Sequence, residues 1–304
     1  VLINLDAMYR RRRRTRRRQT NAKKLWIPHA FSARSTGSKI FDGKAPFTCA
    51  LKEQKRVEIV QSNGNSKIRV LLCPGLATPM ACSPNATDAT GKSIYYENNA
   101  TYNTSGSNTY ITQATGRTIT KWRIVSQAIR LTLLNNSDEN DGWYEAARFS
   151  PPIDEYRVNP KKLTTGYVIP EMTSNYMDSF TDLTNLNSYT SGKVRDIHKR
   201  TFSLTHVSNN HDFIAMDTQY KFGYNIVEDA INYDDEYNEW NDKHFDKHMN
   251  WYIIDIHGRT ASTEHSGTKI LAHMITNYEF IFGPDNIACK LATSNTMQTE
   301  ALTS

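Results

Sequence analysis

The sequence predicts an all-β fold, a sandwich, jelly roll or barrel, and three observations carry that expectation. About eight apolar runs alternate with a period of two, hardly any stretch repeats with a helical period, and long polar segments separate the runs. A single all-β domain of this length is common.

Taken in chain order, Arg56 to Val60 and Lys67 to Cys73 read as strands flanking residues 61–66. Asn63-Gly64 between them is a strong hairpin-turn signal, because both residue types tolerate the positive φ of a tight turn. Pro74-Gly75 ends the second run. Trp122 to Leu134 is the clearest strand, with Val125, Ile129, Leu131 and Leu133 on one face and Ser126, Arg130 and Thr132 on the other. Asn135 to Gly142 is a polar turn, and Trp143 to Phe149 resumes as a strand until Pro151-Pro152 removes the ladder donors. Lys199 to Val207, Thr218 to Val227 and His248 to His257 are further strands. Lys269 to Phe282 alternates for longest: Ile270, Ala272, Met274, Tyr278, Phe280 and Phe282 share a face, and His273, Asn277 and Glu279 share the other.

Residues 83–118 and 166–192 are rich in Ser, Thr, Asn and Gly, and read as surface insertions at the rim of a sandwich, where long loops cost little. The organisation expected is an arm over residues 1–24, a tether over 25–50 containing Pro28, Gly37, Gly43 and Pro46, one β domain over 51–285, and a tail over 286–304. Met8, just before the arginines, is expected to be the natural start.

Eight of the nine residues from Arg10 to Arg18 are arginine, with Thr15 the exception. Like charges at this density repel and cannot be buried, so the arm is expected to be disordered until a polyanion neutralises it. Arg10, Arg11, Arg12, Arg13, Arg14, Arg16, Arg17, Arg18, Lys23 and Lys24 against Asp6 give residues 1–24 a net charge of +9. The whole chain carries +6, so residues 25–304 sum to −3. A basic arm is joined to a nearly neutral body. Guanidinium groups fork onto phosphate oxygens and no aromatic residue stands among them to read bases, so these ten cations are the expected nucleic-acid-binding residues, without sequence specificity. Ten contacts to a single strand would give a log-log salt slope of about −7. The same run also suits an import signal.

Other chemistries find little support. Cys49, Cys73, Cys82 and Cys289 are too scattered for a disulfide framework and form no Cys-x-x-Cys pair; reduced thiols are expected, with a Cys73–Cys82 bridge the alternative under oxidising conditions. No run of 18 apolar residues occurs, so no membrane insertion is expected. His244 and His248 flank Asp246 at zinc-like spacing, but the Glu of that motif is missing, and with Tyr233, Tyr237 and Trp240 they form a loose aromatic stripe. Gly91-Lys92-Ser93 lacks the earlier Gly of a phosphate loop. Neither a Gly-x-Ser-x-Gly elbow nor the His-x-His of a nicking endonuclease is present, and no enzyme is expected. The sequons at Asn85, Asn99, Asn103 and Asn135 are what such composition produces by chance.

Val70-Leu71-Leu72-Cys73-Pro74-Gly75, Trp122-Arg123-Ile124-Val125-Ser126-Gln127-Ala128-Ile129-Arg130-Leu131, the turn from Asn135-Asn136 to Asp141-Gly142-Trp143-Tyr144-Glu145-Ala146, and Ser191-Gly192-Lys193-Val194-Arg195-Asp196-Ile197-His198 resemble capsid proteins of circular, Rep-encoding single-stranded DNA viruses. The nearest branch has nodavirus-like shells and includes the bacilladnaviruses. The likeness spans about residues 50–285, and the arm is similar in kind. It implies a single eight-stranded jelly roll of two four-stranded sheets, whose copies form an icosahedral shell and package a single-stranded genome through inward arms. The implied partners are copies of the chain, the genome and a host import receptor, and the implied locations are the virion and the host nucleus. Some related shells hold calcium at subunit contacts, which makes Asp234, Asp235 and Glu236, within the acidic stretch Glu228 to Asp242, the metal candidates. They lack the spaced loop with its central Gly, so a solvated acidic loop is the stronger reading and no cofactor is assigned. Nodavirus-like cleavage at an Asn-Ala bond is not carried over, since Asn85-Ala86 and Asn99-Ala100 lie in the polar insertion. Alternatives are a nodavirus-type RNA shell and a nonassembling nucleic-acid-binding protein with a basic tail. The body's negative sum favours a shell, because a simple binding module should carry basic or aromatic readers on its folded surface. Histidine as a residue type changes charge near neutrality, so His198, His206, His257 and His273 are candidates for tuning disassembly, with plain surface exposure the stronger reading for most of them.

Overall fold

A computed structural model describes residues 29–32, 39–40, 42, 44–45, 47–61, 67–75, 80–83, 94–96, 119–136, 142–150, 160–162, 168–170, 176, 180, 182–205, 212–215, 246, 249–259, 267–283, 290 and 292–294. The arginine run, the strand expected over Thr218 to Val227 and the acidic stretch Glu228 to Asp242 lie outside them.

The described residues form β1 (Phe47–Val60), β2 (Ile68–Leu72), β3 (Met80–Ser83), β4 (Ile94–Tyr96), β5 (Ile119–Leu133), β6 (Trp143–Phe149), β7 (Pro160–Lys162), β8 (Val168–Pro170), β9 (Asn187–Lys193), β10 (Phe202–Thr205), β11 (Ile214–Ala215), β12 (Trp251–His257), β13 (Lys269–Phe282) and β14 (Thr293–Ser294). One six-stranded sheet runs β10-β5-β13-β1-β14, with β11 also on β5; the other runs β4-β3-β2-β12-β6-β9; β7 and β8 form a ribbon. Antiparallel pairing joins β1 to β13, β2 to β12, β5 to β10 and β6 to β9. Among these eight strands the first pairs with the last, the second with the seventh, the third with the sixth and the fourth with the fifth. That is a long hairpin rolled into two sheets, the jelly roll. Additions on β1, β2 and β5 widen each four-stranded sheet to six.

Three local expectations change. Asn63-Gly64 does not join a hairpin, because the strands on either side of it, β1 and β2, belong to different sheets. The alternation expected through Val125 breaks at a bulge: Tyr278 lies opposite Ile124 and Asn277 opposite Ser126, which leaves Val125 as the extra residue. Trp122 and Ile124 therefore join Ile129 and Leu131 in the inter-sheet cluster, and Val125 is buried outside it. Strands also reach beyond the segment boundaries. β1 begins inside the stretch read as tether, β9 lies within the 166–192 insertion, β3 and β4 touch the 83–118 insertion, and β14 lies in the tail. β9 and β4 escaped notice because both are edge strands. In β9 only two of seven positions are even half-buried, so it shows no apolar alternation.

Between the sheets, Trp122, Ile129, Tyr278 and Phe280 of the first face Val70, Leu72, Tyr144 and Ile254 of the second, all buried. Each such side chain contributes about 1.5–3 kcal/mol relative to exposure. Strand direction puts the ends of β1, β5, β9 and β12 with the starts of β2, β6, β10 and β13 at one end of the sandwich, and the opposite strand ends at the other. Gly142 closes one of the short connections at φ +117°, where a Cβ would lie 2.2 Å from the His257 carbonyl oxygen.

Candidate functional site

Charged residues flanked by buried apolar neighbours organise the outer faces of both sheets. On the first, Arg123 of β5 lies opposite Glu279 of β13, and both are fully buried. Arg123 donates from Nε and Nη2 to Glu279 Oε2 at 2.8 and 2.7 Å, from Nη1 to Asp42 Oδ2 at 2.6 Å, and from Nη2 to the Ile40 carbonyl at 2.7 Å. Glu279 also accepts from the Thr48 hydroxyl at 2.5 Å and from the Ile40 N–H at 3.2 Å. Lys39 donates to the Thr48 carbonyl, and to Thr293 at its carbonyl (3.0 Å) and hydroxyl (2.7 Å). Two cations and two carboxylates thus fasten residues 39–42, which follow the basic arm, across the start of β1. Burial alone would raise the Asp42 carboxyl, but the Arg123 hydrogen bond, the Lys44 N–H and the Arg123 charge together hold it below the ordinary carboxylate range. Burial lowers Lys39, against the attraction of Glu279.

Further along the same face, Ala30 packs on Ala128 and Ile275, and Phe31 joins them. The Phe31 ring lies edge-on to His273 at 5.1 Å and under the Arg130 guanidinium at 4.3 Å. The segment read as a tether is therefore laid across the sheet at two places.

The second sheet repeats the device. Arg69 of β2 lies opposite Asp255 of β12 and forks onto it, Nε to Oδ1 and Nη2 to Oδ2 at 2.7 Å each. Lys67 adds a bond to Oδ2 at 2.6 Å, and the Arg69 fork also reaches the Tyr176 and Phe180 carbonyls. Tyr176, Phe180 and Leu183 lie on Leu71, Ala147, Phe149, Trp251 and Ile253, a second apolar cluster. Beside it, His257 Nε2 meets Glu145 Oε1 at 2.9 Å and the exposed Trp143 ring stacks on the imidazole at 3.9 Å.

Ligand atoms of Glu145, Asp255 and His257 lie within 4.8 Å of one another, close enough for a shared cation. The donor set fits one poorly: both Asp255 oxygens are held by Arg69 and Lys67, and those two cations already balance the two carboxylates. The trio is better read as part of the clasp on the second strap.

Of the residues singled out in the sequence, Arg10 to Arg14, Arg16 to Arg18, Lys23, Lys24, Asp234, Asp235, Glu236, His206, His244 and His248 lie outside the described residues. Asp246 is buried, and its carboxylate accepts the Ile124 N–H at 3.3 Å, a structural role at β5. Asn135 is engaged through both amide atoms, Nδ2 to the Gly267 carbonyl (3.1 Å) and Oδ1 from the Lys269 N–H (2.7 Å). Cys73 packs in the outer cluster and Cys82 in the inter-sheet core; the two are not bridged to each other, and burial pushes the Cys73 thiol up. His198 is exposed, and its Nδ1 lies 2.9 Å from the Arg195 carbonyl. No helix among the described residues is long and apolar enough to cross a membrane. Arg123, Glu279, Arg69 and Asp255 escaped the sequence reading as sites. Their signal was a lone charge flanked by aliphatic and aromatic residues within a strand, which in a sheet calls for a partner on the neighbouring strand.

Residues 20–304 match the sequence profile described as Shotokuvirus capsid protein. A capsid protein of Chaetoceros diatodnavirus 1 is 30% identical, over 85% of this chain and 72% of its own length. A capsid protein of Chaetoceros protobacilladnavirus 2 is 26% identical, over 88% of this chain and 78% of its own. Among solved structures, T=1 particles derived from infectious bursal virus are similar over 86% of this chain and 84% of theirs, at 8% identity and a TM-score of 0.44.

Proposed function

The chain belongs to the Shotokuvirus capsid protein family, and from that premise we propose that its copies close into an icosahedral shell and package a single-stranded DNA genome through the arm Arg10–Lys24. It is a capsid protein and so a component of the virion, with a structural and not an enzymatic role. The observation that carries the packaging reading is the division of charge, +9 on residues 1–24 against −3 on residues 25–304. Such a chain concentrates its phosphate binding at one end and leaves most of the body's surface for other copies. The clasp around Arg123 supports it from the other side, because it holds Ile40 and Asp42, in the segment between the arm and β1, on the first sheet. Host import receptors are a further partner for the same arginines, which would bring the chain into the nucleus before assembly.

The test is to express the full chain and a version beginning at residue 25, image both by electron microscopy, and digest the co-purified nucleic acid with DNase and RNase. The expected result is closed particles from both, with DNA in the first and much less nucleic acid in the second. Failure of both to close under every salt condition overturns the shell reading. Equal nucleic-acid content overturns the role of the arm, and RNase-sensitive cargo from infected cells overturns DNA in favour of RNA.

A further inference from the structure

Arg56 on β1, His273 on β13 and Arg130 on β5 are successive cross-strand partners, Arg56 opposite His273 and His273 opposite Arg130. With strands about 4.8 Å apart, the two arginine stems stand roughly 10 Å from each other across one imidazole. Both arginines are exposed. Among the described residues, neither has a carboxylate within ion-pair distance. Lys52 shares their face of β1 by strand parity, and Glu58, the acidic residue beyond Arg56 on that face, lies opposite Leu271. Like charges gathered on one face of a sheet weaken it, so the isolated subunit loses stability by this arrangement. A polyanion would relieve it.

Two further observations say where that polyanion comes from. Phe31 supports the row from beneath Arg130, whose Nε is also fixed on the Thr201 hydroxyl at 3.0 Å, so the guanidinium is held in place. His29 is five residues beyond Lys24, at most about 18 Å of chain, so the last cation of the arm is tied within reach of the row. The local potential is consistent: burial first, then Arg56, Arg130 and Lys52, hold His273 below its ordinary value, and burial followed by Arg130 does the same to His29.

We propose that the Arg56–His273–Arg130 row is a second phosphate-binding surface, continuous with the arm, on which the backbone of a single-stranded nucleic acid lies as it leaves the arm. This rests on the packaging reading above, and it makes the tether-bearing face of the first sheet the face turned toward the genome.

The test uses the full chain, a fluorescent thirty-nucleotide oligothymidylate and a salt titration. Replacing the pair by Arg56→Gln and Arg130→Gln should reduce the log-log salt slope by about 1.4, at 0.7 per lost contact, whereas Arg56→Lys with Arg130→Lys should keep it. A third variant, with Arg10–Arg14 and Arg16–Arg18 changed to Gln, should retain a slope that the Arg56→Gln/Arg130→Gln pair then removes. An unchanged slope in the Gln pair overturns the proposal, as does a Lys pair that falls as far as the Gln pair. If the arm variant instead binds as tightly as the full chain, it is the packaging reading that fails, and the Gln pair still decides the row.

Discussion

The outer faces of the two sheets are closed by similar clasps over different floors. On each, an arginine pairs with the acidic residue directly opposite on the next strand, Arg123 with Glu279 and Arg69 with Asp255, and also bonds a crossing segment, Arg123 at the Ile40 carbonyl and the Asp42 carboxylate, Arg69 at the Tyr176 and Phe180 carbonyls. Beneath the segment at 176–186 lies an aromatic floor of Phe149 and Trp251 with Leu71 and Ile253. Among the described residues, the apolar floor under Ala30 and Phe31 of the tether is small, Ala128 and Ile275, and beyond it lies the cationic row. Apolar burial can hold the segment of Tyr176 and Phe180, the second strap, without its charges, whereas the tether leans on them. The difference places the segment that answers to ionic conditions on the same face as the arm.

The largest effect should come from Arg123→Met. It leaves Glu279, fully buried, without its cation, at a cost of about 3–5 kcal/mol in chemical denaturation of the subunit. Arg69→Met should cost less, because Lys67 still reaches Asp255; the reverse ranking would break the comparison. The double change Arg123→Met with Glu279→Met sharpens it. Removing both charges should restore stability to within about 1 kcal/mol, as buried pairs replaced by apolar residues often do. Limited proteolysis should nevertheless cut near Ile40, since Asp42 and the Ile40 backbone have lost their partners. Continued protection there would show that the tether is held by something other than Arg123.

A middle-sized effect is expected from Phe180→Ala. Its ring stacks on Tyr176 at 5.4 Å and tilts against Phe149 at 5.2 Å while remaining half-buried, so about 1–2 kcal/mol should be lost and the second strap should become sensitive to protease. Tether cleavage should not change. If one substitution loosens both segments, the two faces are coupled through the core and cannot be treated as separate.

Much of the first sheet was legible in the sequence, and little of the clasps. Lys269 to Phe282 matches β13 end to end, because it buries a face long enough for period-two alternation to show, and Trp143 to Phe149 matches β6 end to end because a polar turn and Pro151-Pro152 bound it. β9 was read as loop because Asn187 to Lys193 is polar throughout. The turn at Asn63-Gly64 misled for a topological reason: in this fold consecutive strands mostly change sheets, and local turn chemistry carries no information on which sheet comes next. The arm stood out because charge needs no partner to be seen. Arg123 and Glu279 are 156 residues apart in the chain, so only their shared oddity, a charge within an apolar strand, linked them beforehand.

The smallest effect is the one that separates the clasps by chemistry. Arg123 and its neighbours depress the Asp42 carboxyl in the folded chain, so the stability it contributes is present in full above the unfolded-state value of about 3.9 and is lost as pH falls through the lower folded value. Between pH 7 and pH 5 tether protection should therefore stay constant; below about pH 4 it should decline, with cleavage near Ile40 rising first. Asp42→Asn should flatten this pH dependence, since the amide cannot titrate, while leaving the Arg123–Glu279 pair in place. The second strap has its aromatic floor to rest on and should keep its protection over the range in which the tether begins to release. A tether that stays protected at every acidic pH, or an Asn variant that keeps the full acid response, would mean that the Asp42 link contributes nothing, and that Lys39 and Ile40 alone secure the root of the arm.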